Sequence, residues 1–229
     1  DDRLYNWFYS ILSNDITCME GLLMHGMPVD VLHPLRHSTA LMEASRRGRT
    51  SLVHWLLQQG ASPALLNGSP LTTALHVALH CQQLEVAEIL IAALPHTRQL
   101  DSNQRTPLHI LSMEMPDDTA TTLRLALADR LITTACPLDA LDREGATALH
   151  YCAIHNHVAL AERLLAAGAN PNVVTPDNHV SPITIAAMEK HTELVDVLLA
   201  AGANPNLAAK TGACAARMMP KGQRQEASY

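Results

Sequence analysis

The amino-acid sequence predicts an all-α fold, a solenoid of stacked helix-turn-helix units joined by extended loops. Three observations carry that expectation. A phrase of Ser/Thr, Ala/Pro and Leu/Ile recurs at Thr39-Ala40-Leu41, Thr73-Ala74-Leu75, Thr106-Pro107-Leu108, Thr147-Ala148-Leu149 and Ser181-Pro182-Ile183, at intervals of 34, 33, 41 and 34 residues. A period near 33 marks a chain of copied supersecondary units. Leucine pairs ending in glycine return in the same register, at Leu56-Leu57 before Gly60, Leu164-Leu165 before Gly168 and Leu198-Leu199 before Gly202. Aromatic residues make up only 3% of a chain that is 48% hydrophobic and dominated by Ala and Leu, a composition suited to close-packed helices rather than to sheets.

Each element follows from its own residues. Ser or Thr opens the first helix of a unit because its oxygen accepts a hydrogen bond from an unsatisfied N–H of the first turn, and Pro107 or Pro182 in the next position has no N–H to leave unpaired. About nine residues on, Gly48 or its polar stand-ins Asn156 and Lys190 break the chain. Apolar residues then return at helical spacing, Leu160 and Leu164 in one unit and Leu194, Val197 and Leu198 in another, which defines the second helix. Gly60, Gly168 and Gly202 stand just past its end, where a left-handed backbone favours glycine, and Ala-Asn-Pro-Asn leads into a turn.

The two ends are atypical. One period before Thr39 lies Tyr5, which opens a degenerate unit ending in Gly21-Leu22-Leu23-Met24-His25-Gly26; one period after Ser181 lies Cys214, whose unit dissolves at Pro220-Lys221-Gly222. The expected organisation is a single domain over 1–229. A capping unit covers about 4–33, repeats cover about 34–67, 68–100, 101–141, 142–175 and 176–208, and a partial cap covers 209–229. The repeat at 101–141 is about eight residues too long, with an insertion near 113–121 where Pro116, Asp117 and Asp118 read as a helix entry. Either the joining turn is long or the second helix begins early.

Thr106-Pro107-Leu108-His109, Thr147-Ala148-Leu149-His150 and the phrase Leu-Leu-Ala-Ala-Gly-Ala-Asn-Pro-Asn resemble the ankyrin repeat, in register from about residue 4 to 218. The resemblance implies a gently curved ankyrin-repeat solenoid of stacked helix pairs, with β-hairpin or loop fingers projecting to one side. It also implies that His76, His109 and His150, each three residues after a cap Thr, tie neighbouring loops together. Asn172 and Asn206 follow the turn at which the resembling family sometimes undergoes asparagine hydroxylation, although Pro stands here before each in place of the usual Val.

Chemistry is hard to place on this chain. A net charge of −6 and a pI near 6.1 give no general attraction to nucleic acid or to an anionic membrane, and no apolar run approaches the roughly 20 residues of a membrane span. The five cysteines are scattered without a C-x-x-C pair, which argues against a disulfide framework or a zinc knuckle. A reducing interior is expected, the cytoplasm with the nucleus as alternative. Cys152, His150, His155 and His157 form the densest His/Cys group, but tetrahedral zinc needs four convergent ligands and a nucleophile needs a base and an orienting group in a pocket. No phosphate-loop, dinucleotide or nucleophile-elbow motif appears. No catalytic residue, cofactor or metal is expected. Trp7 and Trp55 read as packing residues, since an aromatic cage needs several converging rings.

What remains is surface. In a stacked array the finger tips and the exposed ends of the first helices are left free to vary, and counted from each cap they include Leu35, Ser38 and Ala146 as well as the candidate partner-binding residues. Those candidates are Arg36, Arg46, Arg47, His80, Arg105, Met113, Glu114, Arg143, Ile154, His155, Met188 and Glu189. They run from basic residues in the first repeats to Met, Ile and acidic residues in the last two. That gradient suggests a concave docking groove for an acidic or phosphorylated segment with an apolar anchor. The expected function is a non-enzymatic interaction module, an adaptor, scaffold or effector, monomeric on its own. The alternative is a regulatory or substrate-recruiting part of a larger enzyme, such as an Arf GTPase-activating protein, whose ankyrin arrays the phrase Thr147-Ala148-Leu149-His150-Tyr151-Cys152 resembles.

Overall fold

In the computed structural model, which describes residues 2–67, 71–113, 121–207 and 214–218, the repeated Thr phrases open helices as their chemistry requires. The chain divides into two compact units, Asp1–Ser102 and Asn103–Tyr229. The first holds α1 (Asp2–Ser13), α2 (Ile16–Met24), α3 (Ala40–Arg46), α4 (Thr50–Gln58), α5 (Ala74–His80) and α6 (Leu84–Ala93). The second holds α7 (Pro107–Met113), α8 (Thr121–Thr133), α9 (Ala148–His155), α10 (Val158–Ala166), α11 (Pro182–Met188), α12 (Thr192–Ala200) and the short α13 (Ala215–Met218).

Thr39 and Thr73 hold extended backbone, and their hydroxyls accept from the N–H groups of Met42 and His76. Thr106 accepts from the His109 N–H in the same way. Ser181 departs from the expected cap, because its hydroxyl pairs with the Thr184 hydroxyl at 3.0 Å instead of with a backbone N–H. Between the helices of a pair the backbone turns left-handed at one repeated position, occupied by Gly48, Gln82, Asn156 and Lys190. Three of those four are not glycine, so the turn is imposed by the packing on either side of it.

In the first unit α3 packs on both α4 and α5, and α4 packs on α6; in the second, α9 lies between α7 and α11, and α10 between α8 and α12. First helices therefore stack on first helices and second helices on second helices, within each unit. Leu52 and Leu56 of α4, Leu160 and Leu164 of α10, and Leu194 and Leu198 of α12 are buried at these seams. Each such leucine contributes about 1.5–3 kcal/mol relative to exposure. Trp7 is completely buried, in keeping with a packing role, and Trp55 is half-buried. The overlong repeat resolves in part into helix: α8 has 13 residues where the other second helices have 9 or 10. Pro116, Asp117 and Asp118 lie outside the described residues.

The fingers are loops. Among the described residues no strand forms, and β pairing is reduced to one isolated antiparallel bridge between Asn67 and Thr72. Three fingers close on a backbone bond across their base, His33 N–H to Ser38 O, Asp142 N–H to Ala146 O and Thr175 N–H to Val180 O, whereas Asn67 and Thr72 exchange two. A left-handed residue sits inside each of these three, at His37, Gly145 and His179.

Neighbouring repeats are tied at both ends. At the finger end of the second unit, the Thr106 and Thr147 N–H groups donate to Nδ1 of His109 and His150, while the opposite ring nitrogen of each donates to the next finger, at Ala146 O and Val180 O. Those partners fix both rings as the neutral Nε2–H tautomer. Beyond the second helices, the Asp30 carboxylate accepts from Ser62 N–H, Asp139 from Asn170 N–H, and the Asn172 side-chain oxygen from Asn204 N–H.

Candidate partner-binding surface

Arg36, Arg46 and Arg47 converge, but on a residue of their own chain. Glu43 on α3 is buried, and its carboxylate accepts from the Ser38 hydroxyl and from Arg47 at 2.5 Å, with Arg36 at 3.4 Å and Arg46 at 4.0 Å. Burial pushes the Glu43 carboxyl up, yet the hydrogen bonds from Arg47 and Ser38 and the charges of Arg47 and Arg46 outweigh it and hold it below its ordinary range. The group is thus a net positive cluster built around an internal anion. Arg36 and Arg46 remain about half exposed, at 60% and 48%, whereas Arg47 is 26% exposed. Ser38, expected at the surface, is buried because its hydroxyl serves Glu43.

Beside this cluster lies a trough of about 520 Å³ between α1, the 33–36 finger and α3. Phe8 and Ile11 form its floor, and Tyr5, Tyr9, Leu12 and Leu35 line it while each remains at least half exposed. The Tyr5 and Tyr9 rings stack with centroids 6.0 Å apart, one turn from each other on α1. Arg36 and Arg47 complete the lining. Residues 4–33 were expected only to close the core, so this feature was missed. The signal was present: Tyr5, Tyr9 and Leu12 share one helical stripe while Trp7, Phe8 and Ile11 lie off it, and a helix apolar on two faces has more to cover than one neighbour.

In the second unit the first-helix ends present Ile154 and Met188, equivalent residues on the packed helices α9 and α11, at 43% and 53% exposure. Glu189 and Arg143 are exposed, and Met113 and His155 are half-buried. His80, at the end of α5 in the first unit, is exposed. Glu114 lies outside the described residues. Two expectations are corrected here. Arg105 is no part of an exposed basic end: its side chain is 16% exposed and its Nε lies 3.7 Å from Asp142. Ala146 is buried, because its carbonyl and N–H hold the finger closed.

Asp142 organises that finger. It accepts from the Glu144 and Ala146 N–H groups and from the Tyr151 hydroxyl at 2.6 Å. Burial raises its carboxyl, but the Tyr151 and backbone hydrogen bonds prevail and lower it overall. Burial and the Asp142 charge together push the Tyr151 phenol up to about 12. Burial depresses both finger histidines, His150 to about 4.

The cysteine that might have acted as a nucleophile is removed from that role. Cys152 is fully buried, and burial pushes its thiol up to about 12, where the thiolate is essentially unpopulated at neutral pH. No group of three or more His, Cys, Asp or Glu suited to a metal ion occurs among the described residues. Asn172 is engaged on both sides of its amide, donating to Gly202 O and accepting from Asn204 N–H.

A family model of ankyrin repeats matches residues 41–126 and 124–209. The chain is similar to protein glp-1 of Caenorhabditis elegans, 29% identical over 161 residues, which is 66% of this chain and 12% of that protein. It is similar also to a putative palmitoyltransferase, ZDHHC13, of Danio rerio, 26% identical over 78% of this chain and 26% of that protein. The chain thus spans about a quarter or less of the length of these curated relatives. Among solved structures, an ankyrin repeat domain from Acinetobacter baumannii superposes with a TM-score of 0.67 at 26% identity, over 81% of this chain and 91% of that one. With the family model covering most of its length and the helix pairs, cap threonines and bridging histidines in register, this chain belongs to the ankyrin-repeat family.

Proposed function

We propose that this chain is an intracellular adaptor or scaffold domain that captures a partner protein through its first-helix face, taking an acidic or phosphorylated segment that carries an apolar anchor. Ankyrin repeats are in general protein–protein interaction modules, and the fold is typically non-enzymatic. One observation supports the finer reading: Arg36 and Arg46 stay about half exposed around a single buried carboxylate, leaving net positive charge directed at solvent. Ile154 and Met188 supply apolar contacts in the second unit.

Affinity capture with the whole chain tests this, comparing it with the double variant Arg36→Glu and Arg46→Glu. Both residues stand farther from the Glu43 carboxylate than Arg47 does, and circular dichroism with urea unfolding checks that the variant is folded. Loss of an otherwise reproducible partner supports the reading, and an unchanged capture profile contradicts it.

A second reading makes the array the substrate-recruiting part of a larger enzyme. The observation that favours it is the similarity to a putative palmitoyltransferase of which the match covers only 26%; an Arf GTPase-activating protein has no such support among the relatives named above. The length and sequence of the full transcript decide between the two.

A further inference from the structure

The trough in the first unit is chemically unlike the rest of the surface. A small-molecule pocket encloses most of its ligand, whereas Tyr5, Tyr9, Leu12 and Leu35 are each at least half open to solvent while lining this one. Its open form suits an extended segment better than an enclosed small molecule. Its walls are held by local contacts: the Tyr pair is stacked, and the opposite side is formed by α3 and by the 33–36 finger, where the Leu35 and Arg36 N–H groups donate to the His33 ring nitrogen. Tyrosines of this kind give large amphipathic contact area at low conformational cost.

Charge decides what the segment carries. Arg47 engages Glu43 through one terminal nitrogen, with its Nη1 donating to both the carboxylate and the carbonyl of that residue. Arg36 likewise uses only Nη1. A guanidinium has five N–H donors, so both arginines retain donors along the trough they line. Glu43, the carboxylate that could have neutralised the trough, is already satisfied by Ser38 and Arg47. An apolar anchor set against the stacked tyrosines would therefore place its neighbours beside two guanidiniums with no competing acid in the lining other than Glu43.

Building on the reading of the chain as a protein-binding module, we infer that this trough is its docking site for a short peptide segment in which an aromatic or branched aliphatic anchor is followed closely by carboxylates. The anchor lies against Tyr5, Tyr9 and Leu12, and the carboxylates pair with Arg36 and Arg47. Tyr151, Ile154 and Met188 of the second unit take no part in this contact.

Short random peptides displayed on phage and selected on the whole chain provide the probe. The selected peptides should share one large apolar residue with two or more Asp or Glu within a few positions. By fluorescence anisotropy, Leu12→Ser and Arg36→Glu should each weaken a selected peptide by about tenfold or more, the Arg36→Glu effect alone shrinking at high salt, while Met188→Ser leaves binding unchanged. Circular dichroism checks that each variant is folded. Peptides without acidic residues, or binding lost through Met188→Ser and indifferent to Leu12→Ser, overturn the trough assignment and leave the interaction reading standing. No selected peptide, alongside successful partner capture by the same chain, has the same meaning; failure of both removes the interaction reading as well. Self-association of the chain that Leu12→Ser abolishes would show a second copy in the trough and overturn the peptide.

Discussion

The Arg47 guanidinium clamps the Glu43 carboxylate one turn away on the same helix, at 2.5 Å, and the carboxylate it clamps is buried. Removing the arginine leaves that charge desolvated with only Ser38 and the more distant Arg36 and Arg46 to hold it. Arg47→Ala is expected to destabilise the chain by about 1–3 kcal/mol, and Arg46→Ala by no more than about 0.5 kcal/mol, as is usual for an exposed pair. Urea unfolding of the two variants checks the difference.

Acidification below the ordinary histidine value should loosen the fingers of the second unit. His150 binds its proton at about 4 in the folded chain and at its ordinary 6.5 when unfolded, so between those values the unfolded state holds more protons. Stability is unaffected above the unfolded value and falls as pH drops from 6.5 towards 4, by about 3 kcal/mol at most for this residue. His109, also depressed by burial, adds to the same trend. Thermal unfolding should show a falling midpoint across that window, and His150→Gln should flatten it. The carboxylates Glu43 and Asp142 act separately: their pKa values are lowered in the folded state, so the stability they contribute is fully present above their ordinary values of 4.5 and 3.8 and is lost as pH falls below these through the lowered folded values.

Tyr151→Phe tests the Asp142 hub. The hydroxyl donates to a buried carboxylate at 2.6 Å, and hydrogen bonds to charged groups are worth about 1.5–3 kcal/mol. The variant should be less stable by that amount with its helix content intact. Wild-type spectrophotometric titration should show one phenol ionising near 12, and the variant should lack it.

Gly145 and Gly60 separate two reasons for a glycine. Both have positive φ, +75° and +87°, which costs an L-residue about 1–2 kcal/mol. A Cβ at Gly60 meets nothing within 4 Å, but at Gly145 it would stand 2.1 Å from Cδ of Pro176. Gly60→Ala should therefore show the backbone cost alone, and Gly145→Ala distinctly more, because a proline ring on the next finger cannot swing aside. Denaturant midpoints of the two variants make the comparison.

The features that repeat were legible in the sequence. Cap threonines, second-helix leucines and bridging histidines recur because every unit meets the same neighbours, so spacing located His109 and His150 and the resemblance to the ankyrin repeat supplied the bridging role that they fill. Features that belong to one unit were not. Nothing at Arg105 says that it folds onto Asp142, and nothing at Arg36 says that it reaches Glu43, since ion pairs across loops leave no periodic trace; the i,i+4 spacing of Glu43 and Arg47 was readable, but not the burial of the carboxylate. The trough escaped for a related reason: α1 was read as a cap, and a cap is expected to have one apolar face, yet Tyr5, Tyr9 and Leu12 give it a second.

Hydrogen exchange read by mass spectrometry on the whole chain, free and saturated with a captured partner, bears most directly on the claim that this chain works by holding another protein on its first-helix face. Protection should appear on Asp2–Ser13, on the 33–36 finger and at the end of Ala40–Arg46. Protection confined to the second helices, such as Thr50–Gln58 and Val158–Ala166, would contradict it.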